Sequence, residues 1–253
     1  MRDRITIARD ARAFTLVELL ATIAIISLLT GMLVPTVART KELSVRAGCL
    51  ARLSGIQQAT VAYASQNLGK LFPCRYRTVQ IALNPVVGSS GEDATDWVKV
   101  AATVGLAGEA WECPSRPGSC QWEWEYPQRI IGYQYFGGIR TWRNPWGRFP
   151  SRSPCNLTQA EPHWVLAADC TMKIDTVWGG GRPTAYANMP QHRWHNPWPE
   201  GGNQVYVDGS AEWVDFERMV YIHSWSGDWS RVCYFYQEDL GEFDPPSGAE
   251  AQP

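Results

Sequence analysis

The sequence is short of the residues that most enzyme chemistry needs. It has only four His, at His163, His192, His195 and His223. It holds no Gly-x-Ser-x-Gly, His-Glu-x-x-His or phosphate-cradling glycine loop. A hydrolase would need a nucleophile beside a base, or paired carboxylates; here the Asp and Glu are scattered. No catalytic residue is therefore assigned. None of the seven Cys forms a Cys-x-x-Cys pair, which argues against a zinc ribbon. Basic charge is not in excess either. The net charge is −2, so nucleic acid is not expected as a partner. No internal repeat is evident. Although there are thirteen Trp, none precedes Trp97, so the aromatic content belongs to the C-terminal part.

What is present is a polar leader and one long apolar run. The 253 residues allow one domain plus an extended element, or two small domains. Residues 1–12, MRDRITIARDAR, carry four Arg against two Asp. Phe14 to Val34 follows, 21 residues whose single charge is Glu18. As a helix this run spans roughly 30 Å, the thickness of a bilayer core. The basic flank puts the N-terminus in the cytoplasm and the rest outside. A secretory signal peptide would have a shorter apolar region, with its small-residue cleavage site after it. Here the small residue, Ala13, comes first.

A basic leader, a small residue, then Phe-Thr-Leu-Val-Glu at the head of a long apolar helix resembles the prepilin signal of type IV pilins and type II secretion pseudopilins. The resemblance implies cleavage by a prepilin peptidase between Ala13 and Phe14, and N-methylation of Phe14. Where the family usually has Gly before the cut, this chain has Ala13. Pro35 falls where many pilins also have Pro. Glu18 would be an assembly residue. A carboxylate in lipid needs a partner, and the α-amine of a neighbouring protomer's Phe14 would supply one, setting the stagger between helices. The bland alternative is a Glu that snorkels near a helix end.

Beyond Pro35 the helix pattern continues. Leu43, Leu50, Leu53, Ile56 and Tyr63 share one face, with Arg46, Arg52, Gln57 and Gln58 mostly off it. Gly69 is the expected stop, with Pro73 after it. From residue 70 the composition turns to Gly, Pro, Trp and short β-like runs. Residues 129–136, 163–170 and 172–178 read as strands. Residues 203–216 read as a hairpin around a type I′ turn at Asp208-Gly209. The tail 239–253 is expected to be disordered.

Six of the Cys lie beyond residue 73, on the exported side, where disulfides are favoured. Cys113 with Cys120 and Cys155 with Cys170 are possible pairs, and Cys49 would be the odd one; spacing alone does not decide connectivity. The Trp clusters could stack on sugars, but Trp more often fills a core with little regular structure.

The C-terminal half resembles a subgroup of prepilin-like proteins that carry a Cys-Pro segment and a motif of His, nine residues, then Asp-Gly. Cys113-Pro114 fits the first part, and His195 with Asp208-Gly209 the second, although twelve residues separate His195 from Asp208 here. His195, Asp208 and Asp169 could line a cation site. Calcium, however, takes six to eight oxygens and as a rule no His, so no cofactor is expected.

The expected fold is α+β and pilin-like. A long N-terminal helix, its first half transmembrane, packs on a C-terminal antiparallel β-sheet with long loops. The expected parts are a leader (1–13), a transmembrane helix (14–35), its extension (36–69), a Trp-rich head (70–238) and the tail. The expected role is a structural subunit of a type II secretion pseudopilus or type IV pilus-like filament, on the inner membrane with a periplasmic head. Its partners would be prepilin peptidase and other pilin subunits. The alternative is a membrane-anchored surface protein with a glycan-binding head.

Overall fold

The computed structural model describes residues 15–74, 81–83, 96–123, 128–179, 186 and 189–252. Ala13 and Phe14 lie outside them. The chain divides into two units, 1–43 and 44–253. Helix α1 (Leu16–Gln66) contributes its first part to one and its remainder to the other.

In the first unit the helix presents Leu, Ile, Val and Met side chains that are all exposed, from Leu16 to Val37. It is long and apolar enough to cross a membrane. Pro35 sits inside it. Pro removes one backbone donor, yet the helix runs on through it.

In the second unit α1 becomes amphipathic. Cys49, Leu53, Ile56, Thr60 and Ala64 are buried at steps of four and three. Leu53 and Ile56 are core residues as the pattern predicts, whereas Leu43 is half exposed at 51%. Gln57 is buried rather than off the face, because its Nε2 donates to the Val207 carbonyl at 2.9 Å. The helix ends as expected near Gly69. Leu68 and Gly69 both take left-handed backbone, and the Gly69 N–H donates back to the Ala64 carbonyl.

Among the described residues twelve short strands follow, all paired antiparallel. One sheet joins β1 (Ala82–Leu83), β3 (Gln128–Ile130) and β2 (Gln121–Glu123) in that order. The largest runs β10 (Ala211–Asp215), β9 (Gly201–Tyr206), β7 (Val165–Asp169) and β4 (Tyr133–Tyr135). A third joins β11 (Val220–His223), β12 (Arg231–Phe235) and β8 (Met172–Ile174), and β5 (Thr141–Asn144) pairs with β6 (Gly147–Pro150). The α+β, helix-then-sheet order holds, with the β structure of the described residues spread over four sheets.

Three local expectations are corrected. The run 129–136 is two strands in different sheets. At Gly132 the chain passes so close to its neighbours that a Cβ would stand 2.4 Å from Ser119 Oγ and 2.6 Å from the Cys113 nitrogen. The run 172–178 stops at Ile174, because Asp175 and Thr176 both adopt left-handed backbone. The tail is not disordered across its described part. Phe243 is buried against Phe149, with ring centroids 4.9 Å apart, and Ala249 is buried. The Tyr221 N–H donates to the Ala249 carbonyl at 2.7 Å. One large apolar anchor and a few backbone bonds outweigh a composition that reads as disordered.

The core gathers the α1 stripe with Phe72, Trp111, Tyr133, Tyr135, Phe136, Trp142 and Phe235. Phe72 stacks on Tyr135 and meets Trp111 edge-on. Each such side chain contributes about 1.5–3 kcal/mol by burial.

Candidate functional site

The head of α1 is built by Thr15-Leu-Val-Glu18. Thr15 Oγ1 accepts from the Glu18 N–H at 3.2 Å, and Glu18 Oε2 accepts from the Thr15 N–H at 2.9 Å. The Thr15 hydroxyl also donates to Glu18 Oε2 at 2.7 Å. This is a reciprocal capping box, which satisfies donors the first turn leaves open. Glu18 therefore has a local structural role that the assembly reading did not include. A carboxylate has room for further bonds, so the two roles are compatible.

The second group of expected residues does not come together as the motif suggested. Asp208 serves the hairpin. Its Oδ1 accepts from the Ser210 N–H at 2.9 Å and the Ser210 hydroxyl at 2.6 Å. Gly209 is at φ +89°, whereas Asp208 has no left-handed backbone. A type I′ turn needs φ > 0 at both central residues. Here the Gly209 N–H donates to the Tyr206 carbonyl and the Tyr206 N–H to the Ser210 carbonyl. The turn is the three-residue kind, type I followed by a left-handed glycine. His195 is exposed and rests edge-on against Trp194.

The residues that do converge are Cys49, Cys113, Asp169 and His192, all buried. Their sulfur, nitrogen and carboxylate atoms lie within 4.8 Å of one another. Four different segments deliver them. Cys49 comes from α1. Cys113 sits in the turn after the short 3-10 helix Gly108–Trp111, where its N–H meets Ser119 Oγ at 3.4 Å. Asp169 ends β7. Its Oδ2 accepts from the Asn203 N–H and from Asn203 Nδ2, both at 2.8 Å, and Asn203 Nδ2 also reaches the Arg46 carbonyl on α1. His192 takes left-handed backbone at φ +54°, and its ring is buried in the cluster. Gln191, just before it, accepts from the Cys170 N–H and donates to the Gly132 carbonyl. Trp213 covers the site, with the His192 ring edge-on to it and the Arg46 guanidinium 3.7 Å from its centre.

The electrostatics of the pocket pull the two thiols apart. Cys49 is held well above the usual thiol range, first by its hydrogen bond with Cys113, then by burial and the Asp169 charge. Burial pushes Cys113 up, but hydrogen bonds from Cys49 and His192 outweigh it and bring it down to about 6. His192 Nε2 lies 3.0 Å from Asp169 Oδ2. Asp169 Oδ1 is buried and accepts no hydrogen bond. Asp169 thus belongs to a cluster with His192, not with His195 and Asp208: His192 is buried beside it, whereas His195 is exposed.

The paired cysteines considered from sequence are not bridged: Cys113, Cys120 and Cys170 are thiols. Of the described tryptophans, Trp111 and Trp142 are buried and Trp146 alone is exposed. The rest are half-buried and several pack on other rings, so they serve the core rather than an open stacking platform.

Comparison with known families bears on the other end of the chain. Residues 8–34 match the prokaryotic N-terminal methylation motif. The chain carries a prepilin-type N-terminus. The motif stands at the head of an α+β layout, with a long apolar N-terminal helix before antiparallel sheets. No curated protein and no solved structure matches the chain.

Proposed function

We propose that this prepilin-like protein is a structural subunit, cut by a prepilin peptidase between Ala13 and Phe14 and methylated on the new Phe14 nitrogen. It then assembles through its N-terminal helix into a type II secretion pseudopilus or a type IV pilus-like filament. Before assembly it stands in the inner membrane, with the head in the periplasm. The observation that carries this reading is the methylation motif on a helix whose apolar side chains are exposed from Leu16 to Val37. Such a surface needs lipid or other helices to cover it. In the assembled helix bundle Glu18 accepts from the Phe14 amine of a neighbour while it caps its own helix. Protein export would follow from assembly, without chemistry on this chain.

The test separates insertion from assembly. Glu18→Ala should leave membrane insertion intact and abolish or strongly reduce filaments, measured by carbonate extraction and by shearing with electron microscopy. Normal filaments from that variant would refute the pairing role.

A further inference from the structure

We propose that Cys49, Cys113, Asp169 and His192 form a closed, structural binding site for one zinc ion. Nothing in the N-terminal motif implies this site, and it lies wholly within the second unit.

The donor set is the first argument. Two sulfurs, one imidazole and one carboxylate suit a borderline-soft divalent ion that takes four ligands. Calcium and magnesium would demand an oxygen cage that is not there. Spacing is the second. A zinc tetrahedron places its ligand atoms about 3.3–3.8 Å apart, from metal distances of roughly 2.0–2.3 Å. The four atoms already lie within 4.8 Å of one another, so closing on the ion takes only small inward movements.

The surroundings are the third argument. Asp169 Oδ1 is buried with no hydrogen-bond donor, which is costly unless a cation or water meets it. Its companion Oδ2 is held by two donors from Asn203. That is how outer-shell groups aim a ligating carboxylate. Ser115 Oγ stands 3.0 Å from Cys113 Sγ, within hydrogen-bond reach of a metal-bound sulfur. Two thiolates, one carboxylate and a divalent ion leave a net charge of −1. Arg116, itself buried, lies within electrostatic reach of Cys113 and offsets it. An ordinary apolar core has no use for this set of groups.

The site would join four segments that share little else in sequence: α1, the Cys113 turn, the end of β7 and the loop leading into β9. Zinc would fasten the helix to the largest sheet, so that the head folds fully only when metal is bound.

The test uses the full-length chain, purified in detergent without added metal. Elemental analysis should find close to one zinc per chain, lost in both Cys113→Ser and Asp169→Asn. If either variant fails to fold, cobalt(II) titrated into the chelator-stripped native chain decides. Tetrahedral d–d bands with sulfur-to-cobalt charge transfer support the site, and an octahedral spectrum or none overturns it. Zinc retained in both variants also overturns it. So does a native chain without zinc in which non-reducing peptide mapping finds Cys49 joined to Cys113.

Discussion

Leu53→Ala tests the packing of α1 in the head. Leu53 is fully buried on the helix stripe between Cys49 and Ile56. Alanine is the better helix former, so any loss must come from packing and not from the helix itself. The substitution removes three carbons, about 2.4 kcal/mol at ~0.8 kcal/mol for each. The cavity adds to this, and the measured range for such changes is about 2–5 kcal/mol. For a unit of this size that lowers the melting temperature by roughly 5–15 °C. Leu43→Ala is the control, since Leu43 is half exposed, and it should stay within about 0.5 kcal/mol. Both variants would be unfolded in urea with detergent present, followed by tryptophan fluorescence. Equal midpoints for the two variants would refute the assignment of the buried face.

Other perturbations follow from single residues. Gly209→Ala forces a side chain onto backbone at φ +89° and should cost about 1–2 kcal/mol, whereas Asp208→Ala loses only its bonds to Ser210, about 1 kcal/mol; the reverse order in denaturant midpoints would contradict the turn described. Phe243→Ala should release the tail and cost about 3–5 kcal/mol, and hydrogen exchange over 239–252 that matches the parent chain would contradict its seating. Asp239 supports that seat. Burial pushes its carboxyl up, but the Trp164 ring N–H, the Gly241 N–H and the Arg152 charge outweigh this and hold it below the usual range. A carboxylate lowered on folding stabilises above its unfolded pKa of about 3.9 and loses that contribution as pH falls through the lower folded value. Asp239→Asn should therefore flatten the acid side of the stability profile, and an unchanged slope would show that Asp239 carries none of it.

The N-terminal half was legible because its signals are local. An apolar run with one charge, a helical stripe and a terminal glycine each need only neighbouring residues. Even there, Thr15-x-x-Glu18 has the form of a capping box, which neither the pairing nor the snorkelling reading of Glu18 includes. In the head, alternation around Asp208-Gly209 located the hairpin, but turn type depends on which residue takes φ > 0, and only Gly209 does. The split at Gly132 arises from a close approach to Ser119 and Cys113 that no local pattern records. The buried cluster was the least legible feature. Cys49, Cys113, Asp169 and His192 share no motif spacing, and only the packed fold brings them together. His195 is singled out by the resemblance to a His, nine residues, Asp-Gly motif, yet the buried histidine of the cluster is His192.

The central claim is that the chain is processed at Phe14 and assembled through the helix that follows. Mass spectrometry of the N-terminal peptide from membranes of the native host tests it most directly. The account predicts a mature chain that starts at N-methylated Phe14, without residues 1–13. A chain that keeps Met1, or that is cut beyond the apolar run, would contradict it.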